Sequence, residues 1–328
     1  MKSNYKISAQ RAALCLIAAG LAASIAHAAA PAEIRVPGER VSSESLTSSQ
    51  DGTIYIGSIV AGTIFRVKPG SETAEPWIQP GTDGLQGVFG VFADDKSQTL
   101  WACSGSFGPP PGGAAALAPP PPPAALHAFD LKTGAPKGRY QMPTAGALCN
   151  DIAIGSDGTA YATDTRNMQV VRLKKGAKAL EVWSAEGAFG PKDGVLDGIS
   201  VLKNTVYVNA LATSKVFSVQ IGADGKAGAT AEVKLDHAIE RPDGMRSFGN
   251  KDLLIIEGGG PGRLSRITVN GDTGAVKTLK EGYPDGPVAV TVVGETGYVL
   301  EGQFKAMRAD PNAKPNPVHA TAVVVGKP

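Results

Sequence analysis

The chain has 328 residues, of which 32 are basic and 30 acidic, with 42% apolar content. That is room for one large domain or two ordinary ones, and the near balance of charge argues against a nucleic-acid or membrane-surface partner. Forty-one glycines and 24 prolines beside only 6% aromatics point to a turn-rich, β-structured chain.

In chain order, the first thirty residues read as a leader. Lys2, Lys6 and Arg11 flank the start of a short apolar run, AALCLIAAGLAASIA, which ends in Ala26-His27-Ala28. This is the pattern of a Sec-type signal peptide cut between Ala28 and Ala30, and it predicts a periplasmic or secreted protein with no membrane attachment after cleavage. Removing three cations and no acids leaves 29 basic against 30 acidic residues. Residues 31–328 then form one domain.

AEIRVPG (32–38) is a lone strand. From Glu44 a unit begins that recurs: ESLTSSQDGTIYIGS at Glu44, NDIAIGSDGTAYATD at Asn150, DGISVLKNTVYVNA at Asp197 and DGMRSFGNKDLLIIE at Asp243. Each has a polar residue, an apolar strand, a turn and a second apolar strand. The turn residues Asp51, Asp157, Asn204 and Asn250 all fall seven positions after the start, and Asp-Gly or Asn turns between alternating runs signal hairpins. Weaker copies begin at Gln86 and Gly286, and the starts are 42, 64, 47, 46 and 43 residues apart. A third and a fourth strand follow the hairpins, the fourth being AEPWIQ, LEVWSA, AEVKLD and VKTLKE in the four clear copies. A four-stranded unit at this period predicts an all-β, six-bladed β-propeller. The last copy has only HATAVVVG as a third strand, so the N-terminal strand is expected to complete that blade and close the ring.

The long interval holds a Pro/Ala-rich insertion, PPPGGAAALAPPPPPAA (109–125), between the second and third strands of blade two. It is expected on the ligand face, as a solvated loop, a lid or an arm that docks a protein partner. EGGGPGR (257–263) lacks the Gly-Lys-Ser/Thr ending of a phosphate loop and reads as a hairpin loop.

First strands line a propeller's channel, so their starting residues converge at one mouth. Here those are Glu44, Gln86, Asn150, Asp197, Asp243 and Gly286. Clustered carboxylates repel, and a hard divalent cation compensates them; calcium, which takes six to eight oxygens, is the first candidate, with zinc, magnesium and manganese behind it. The rival reading has these residues capping loops through backbone N–H groups. Cys103 and Cys149 both fall at the same mouth in neighbouring blades and are expected to form a disulfide in an oxidising compartment.

At these residues the sequence resembles the regucalcin/gluconolactonase family, which includes luciferin-regenerating enzyme and is related to diisopropyl fluorophosphatase and the paraoxonases. The likeness covers residues 32–326 and rests on Glu44 in SESL, Asn150 in CNDIA, Asp197 in LDGIS and Pro242–Asp243–Gly244–Met245. It implies a six-bladed propeller with one divalent cation held by Glu44, Asp197 and Asp243, and with Asn150 touching metal or substrate. Two departures stand out. Asp197 replaces an amide ligand, and Leu148 stands where sugar lactonases often carry an arginine. The implied activity is hydrolysis of a lactone or related ester, with Asp243 as general base, Asp151 as second candidate, and Asn150 and Gln86 against a small-molecule substrate. The alternative is a non-catalytic binding propeller with a structural or vestigial metal site.

Overall fold

The alternating apolar runs fold as hairpins because their turns are chemically set. In the computed structural model, which describes residues 30–106, 122–184, 187–310 and 314–328, Asp51 Oδ1 accepts the Thr53 N–H and Asp157 Oδ1 accepts the Thr159 N–H, each at 2.9 Å. The glycine after each acid takes a left-handed φ of 86°, which a side chain would resist.

Among the described residues, twenty-five strands, one short helix (Phe304–Ala309) and a single 3-10 turn make up the regular structure. The strands form six separate sheets, and within each the blade's own strands are antiparallel and adjacent in chain order, apart from the two additions described below. Their first strands are Ser43–Ser48, Gly87–Asp94, Cys149–Ile154, Leu196–Leu202, Pro242–Phe248 and Pro287–Val293. One apolar cluster fills each junction between neighbouring blades. Val170 and Phe217 meet between blades three and four, and Leu46 and Ile56 meet Leu300 and Ala320 between blades one and six. The same pattern holds at the other four junctions. With a core at every junction the ring has no open face, and the chain is a six-bladed β-propeller.

The N-terminal strand, Glu33–Arg35, pairs antiparallel with His319–Val324 and sets Ile34 opposite Ala320. It completes blade six, as expected from the missing fourth strand. The register differs from expectation in blade four. Its fourth strand is Ala227–Glu232, ahead of the predicted AEVKLD. Beyond Val233, Lys234 and Leu235 instead pair in parallel with the strand Thr273–Glu281 and add a fifth strand to blade five. Regular pairing sets Glu232 opposite Phe217, and a bulge after Val219 brings Ala227 opposite Ile221.

Cys103, in the second strand of blade two, and Cys149, at the start of blade three, form a disulfide with their Cα atoms 5.0 Å apart. It staples two blades across 46 residues of chain. Cys103→Ser with Cys149→Ser is expected to lower unfolding stability by about 2–4 kcal/mol. Denaturation of the two forms without reductant checks this, and equal midpoints would show that the bond does not form in the oxidised protein.

The loop 257–263 joins two strands of blade five, as predicted. Of the insertion, residues 109–121 lie outside the described residues, as do residues 1–29, on which the expected leader falls; the third strand of blade two starts at Ala125. Among the described residues no helix is long and apolar enough to cross a membrane.

Candidate metal centre

All six first strands carry a β-bulge at the same depth. The register slips between Ser43 and Ser45, Val88 and Gly90, Cys149 and Ile152, Leu196 and Ile199, Pro242 and Met245, and Pro287 and Ala289. A bulge turns a side chain out of the alternating pleat. The residues so released are Glu44, Phe89, Asn150, Asp197, Asp243 and Val288, and all six line one cavity of about 610 Å³. Neighbouring first strands press together here. A Cβ on Gly198 would stand 2.4 Å from the Asp243 carbonyl, and one on Gly244 would stand 2.7 Å from the Val288 carbonyl. The glycine after each aspartate therefore serves close packing between blades, not a turn.

Second strands hold the loops in place. Asp164 Oδ1 accepts the Leu148 N–H at 3.1 Å, Glu257 the Glu240 N–H at 2.9 Å, and Glu301 the Asp285 N–H at 2.9 Å. In blade two Ser104 does the same for Gln86 at 2.8 Å. These buried acids are corners. One position earlier, Thr163 Oγ1 donates to the Asp197 carbonyl at 2.8 Å, and Asn209 Nδ2 donates to the Asp243 carbonyl at 2.6 Å. The backbones of Asp197 and Asp243 are thus positioned by the preceding blade. Two residues before each carboxylate the chain is left-handed, with φ of 47° at Ser42, 58° at Val195 and 50° at Arg241. Strain of this kind, sharpest at β-branched Val195, is retained where the surroundings over-determine the chain.

The outcome is that carboxylate oxygens of Glu44, Asp197 and Asp243 lie within 4.8 Å of one another. Asp197 and Asn150 are each 5% exposed, while Glu44 and Asp243 are partly buried. Burial, opposed by Arg308 and reinforced by Asp151, pushes the Glu44 carboxyl up to about 7. Burial, then Glu44 and Asp151, pushes Asp197 well above the usual carboxylate range, against a hydrogen bond from Asn150. Burial, then Asp197 and Glu44, does the same to Asp243. Three carboxyls this close cannot all ionise unless something positive sits between them. The donors fit a hard divalent cation. All are oxygens, and a spread of 4.8 Å is bridged by two metal–oxygen bonds of about 2.3–2.6 Å. Asn150, whose amide N–H serves Asp197, keeps its carbonyl oxygen as a fourth donor.

Two predicted site residues sit elsewhere. Asp151 is turned away from the cavity. Its carboxylate accepts Arg246 Nη1 at 2.8 and 3.1 Å and the Ile199 N–H at 3.3 Å. A carboxylate so engaged is not free to take a proton from a water in the cavity. Gln86 precedes its bulge by three positions and donates from Nε2 to the Pro122 carbonyl at 3.1 Å; Phe89 holds the wall instead.

Sequence reasoning missed Arg246, which plugs the channel below the centre. Besides Asp151 it reaches Ser45 Oγ, the Leu46 carbonyl and the Val91 carbonyl at 3.2–3.4 Å, so it touches the first strands of blades one, two and three. Its signal was a lone cation inside an apolar strand, Met245-Arg246-Ser247. Thr163 and Asn209 were legible as polar residues at one shared repeat position. A second acidic group, Asp285, Glu301 and His319, also converges within 4.8 Å. The Glu301 carboxylate raises His319 to about 9, so that ring carries a proton rather than offering a lone pair, and Asn316 Nδ2 donates to Asp285.

The fold and centre define a six-bladed propeller with an acidic, three-blade site at one mouth of its channel. No family model matches the chain, and no curated protein sequence matches it. Solved structures do. The major allergen Mala s 1 of Malassezia sympodialis shares 15% identity at a TM-score of 0.67, with 89% of this chain and 96% of that one covered. A gluconolactonase from Xanthomonas campestris shares 13% at 0.60, covering 87% of each chain. The calcium-binding protein regucalcin from Agrobacterium tumefaciens shares 12% at 0.58, covering 89% and 93%. At these identities the likeness is one of fold, and it includes the regucalcin- and gluconolactonase-type propellers that the sequence resembled.

Proposed function

We propose that the protein is an exported, divalent-cation-dependent hydrolase, with calcium as the favoured ion, that opens a lactone or related ester at the propeller mouth. The observation that carries this is the meeting of three carboxylates from blades one, four and five within 4.8 Å, at the floor of a cavity large enough for a small molecule. Regucalcin- and gluconolactonase-type neighbours support it.

Glu44, Asp197 and Asp243, with the Asn150 amide, would hold the ion. When bound, it supplies Lewis-acid polarisation of the scissile carbonyl and charge compensation for the oxyanion. The chain's own chemistry lies in Asp243. Its Oδ1 accepts the Gly244 N–H at 2.9 Å. Its Oδ2 faces Gly258, where a Cβ would stand 4.0 Å away. A glycine there leaves room for a water against Oδ2, which takes the proton as that water attacks. Phe89 and Leu148 keep the neighbouring wall apolar and limit bulk water around the reacting carbonyl. Leu148 in place of a cation disfavours a polyhydroxylated sugar acid on that side.

The test is calcium-dependent turnover on a panel of lactones and aryl esters. Asp243→Asn is expected to lower kcat at least a hundredfold, an effect of the size a positioned general base supplies, and calcium supplementation should not restore it. Calcium binding with no turnover on any member would make the protein a ligand-binding propeller instead.

A further inference from the structure

The cavity has two unlike halves. Over blades two to four its wall is apolar, with Phe89, Leu148, Val195 and Leu211. Over blades five and six it is cationic, with Arg241, Lys305 and Arg308. Position decides this. Leu148, Val195 and Arg241 each stand two residues before the site residue of their blade, so one repeat position points an apolar group inward in blades three and four and a guanidinium in blade five. The helix Phe304–Ala309, inserted between the second and third strands of blade six, adds the rest. Phe304 and Arg308 are four apart and share a face.

These cations are not consumed by the fold. Among the described residues neither Arg241 nor Arg308 has an ion-pair partner, and both side chains are exposed at the mouth. Lys305 Nζ gives one hydrogen bond, to the Pro284 carbonyl at 3.0 Å, which leaves two donors. The lining acids are Glu44, Asp197, Asp243 and Asp285, one more than the lining cations. A divalent cation at the centre turns that deficit into a net charge of +1. Three positive side chains, with Asp285 the one lining acid among them, then carry that net positive charge on one half of the mouth.

Resting on the metal-centre reading above, we propose that the substrate is an amphipathic monoanion: an ester or lactone that carries a carboxylate, held by Arg241 and Arg308 with Lys305, and an apolar remainder set against blades two to four. Arg308 and Arg241 are specificity-determining residues. A guanidinium pairs with carboxylate through two parallel N–H···O bonds. The apolar half offers a polyol nothing to bond. Above the Glu44 value of about 7 the empty centre carries negative charge that opposes a second anion, so the monoanion binds best once the centre is loaded.

Monomethyl adipate and dimethyl adipate separate the terms, because both carry the ester and one carries the carboxylate. Calorimetric titration into the calcium-loaded protein is expected to show the monoanion binding at least tenfold more tightly. The preference should vanish in Arg241→Gln with Arg308→Gln while calcium affinity changes less than threefold. At pH 8, above the Glu44 value of about 7, chelation should weaken it in wild type. Equal binding of the two compounds, no binding of either, or a preference that survives the double variant overturns the proposal, the last because the carboxylate then sits on the ion. A parallel calcium titration keeps the readings apart. Calcium binding without the anion preference sinks this proposal alone, no calcium binding sinks both, and the preference without ester turnover sinks only the hydrolase.

Discussion

Saturating calcium is expected to raise the melting temperature of the chelated protein by roughly 5–10 °C at pH 8 and by little at pH 5. The ion at a thousand times its Kd adds about 4 kcal/mol. The pH dependence comes from the three carboxyls. Glu44 is held near 7, and Asp197 and Asp243 are raised as well, so the metal-free fold keeps protons that the unfolded chain releases. Its stability is therefore greatest below the unfolded carboxylate value near 4 and falls as pH rises through about 7. Calcium displaces those protons, so its benefit grows across the same window. Asp197→Asn removes one of the repelling charges. It should raise the melting temperature of the chelated protein at pH 8 and weaken calcium binding at least tenfold, two effects of opposite sign that a loop-capping aspartate would not produce. Differential scanning calorimetry from pH 5 to pH 8, with calcium or chelator, reads both. A chelated melt that is flat with pH, and unmoved by calcium, would remove the centre.

Arg246→Met is expected to cost about 3–5 kcal/mol of stability, the largest single loss among the channel residues. The guanidinium is buried and is the counter-ion of Asp151, which is itself 5% exposed. Without it Asp151 becomes an uncompensated buried charge beside three other acids. Asp151→Asn in the same chain should recover at least half of the loss, because the amide keeps the Ile199 contact without the charge. Urea denaturation of the wild type, both single variants and the double variant gives the coupling directly. A coupling near zero would mean that Arg246 packs the channel without serving Asp151.

The fold was legible because four of the six hairpins are marked twice, by apolar alternation and by an Asp or Asn turn at fixed distance, and because the last copy lacked a strand that the N-terminus could supply. Glu44, Asn150, Asp197 and Asp243 were legible for the same reason. Gln86 and Gly286 were misaligned because polarity was preferred over distance. Seven residues back from the turns at Lys96 and Glu295 stand Phe89 and Val288, the positions that the bulges turn inward. What the sequence hid was side-chain direction. A bulge flips which neighbour faces the cavity, and so Asp151 points into the channel while Asn150 points at the centre. The cationic half was hidden for a different reason. Arg308 sits on a six-residue helix outside the repeat, and no periodicity marks a residue that has no counterpart in the other blades.

The strand Glu33–Arg35 pairs with the chain's final strand, and this seam has a consequence for biogenesis. The first blade cannot gain its last neighbour until the ribosome has released almost the whole polypeptide, so the circular assembly closes as a late, global event and not segment by segment. Products that stop short of residue 319 lack the partner for that seam.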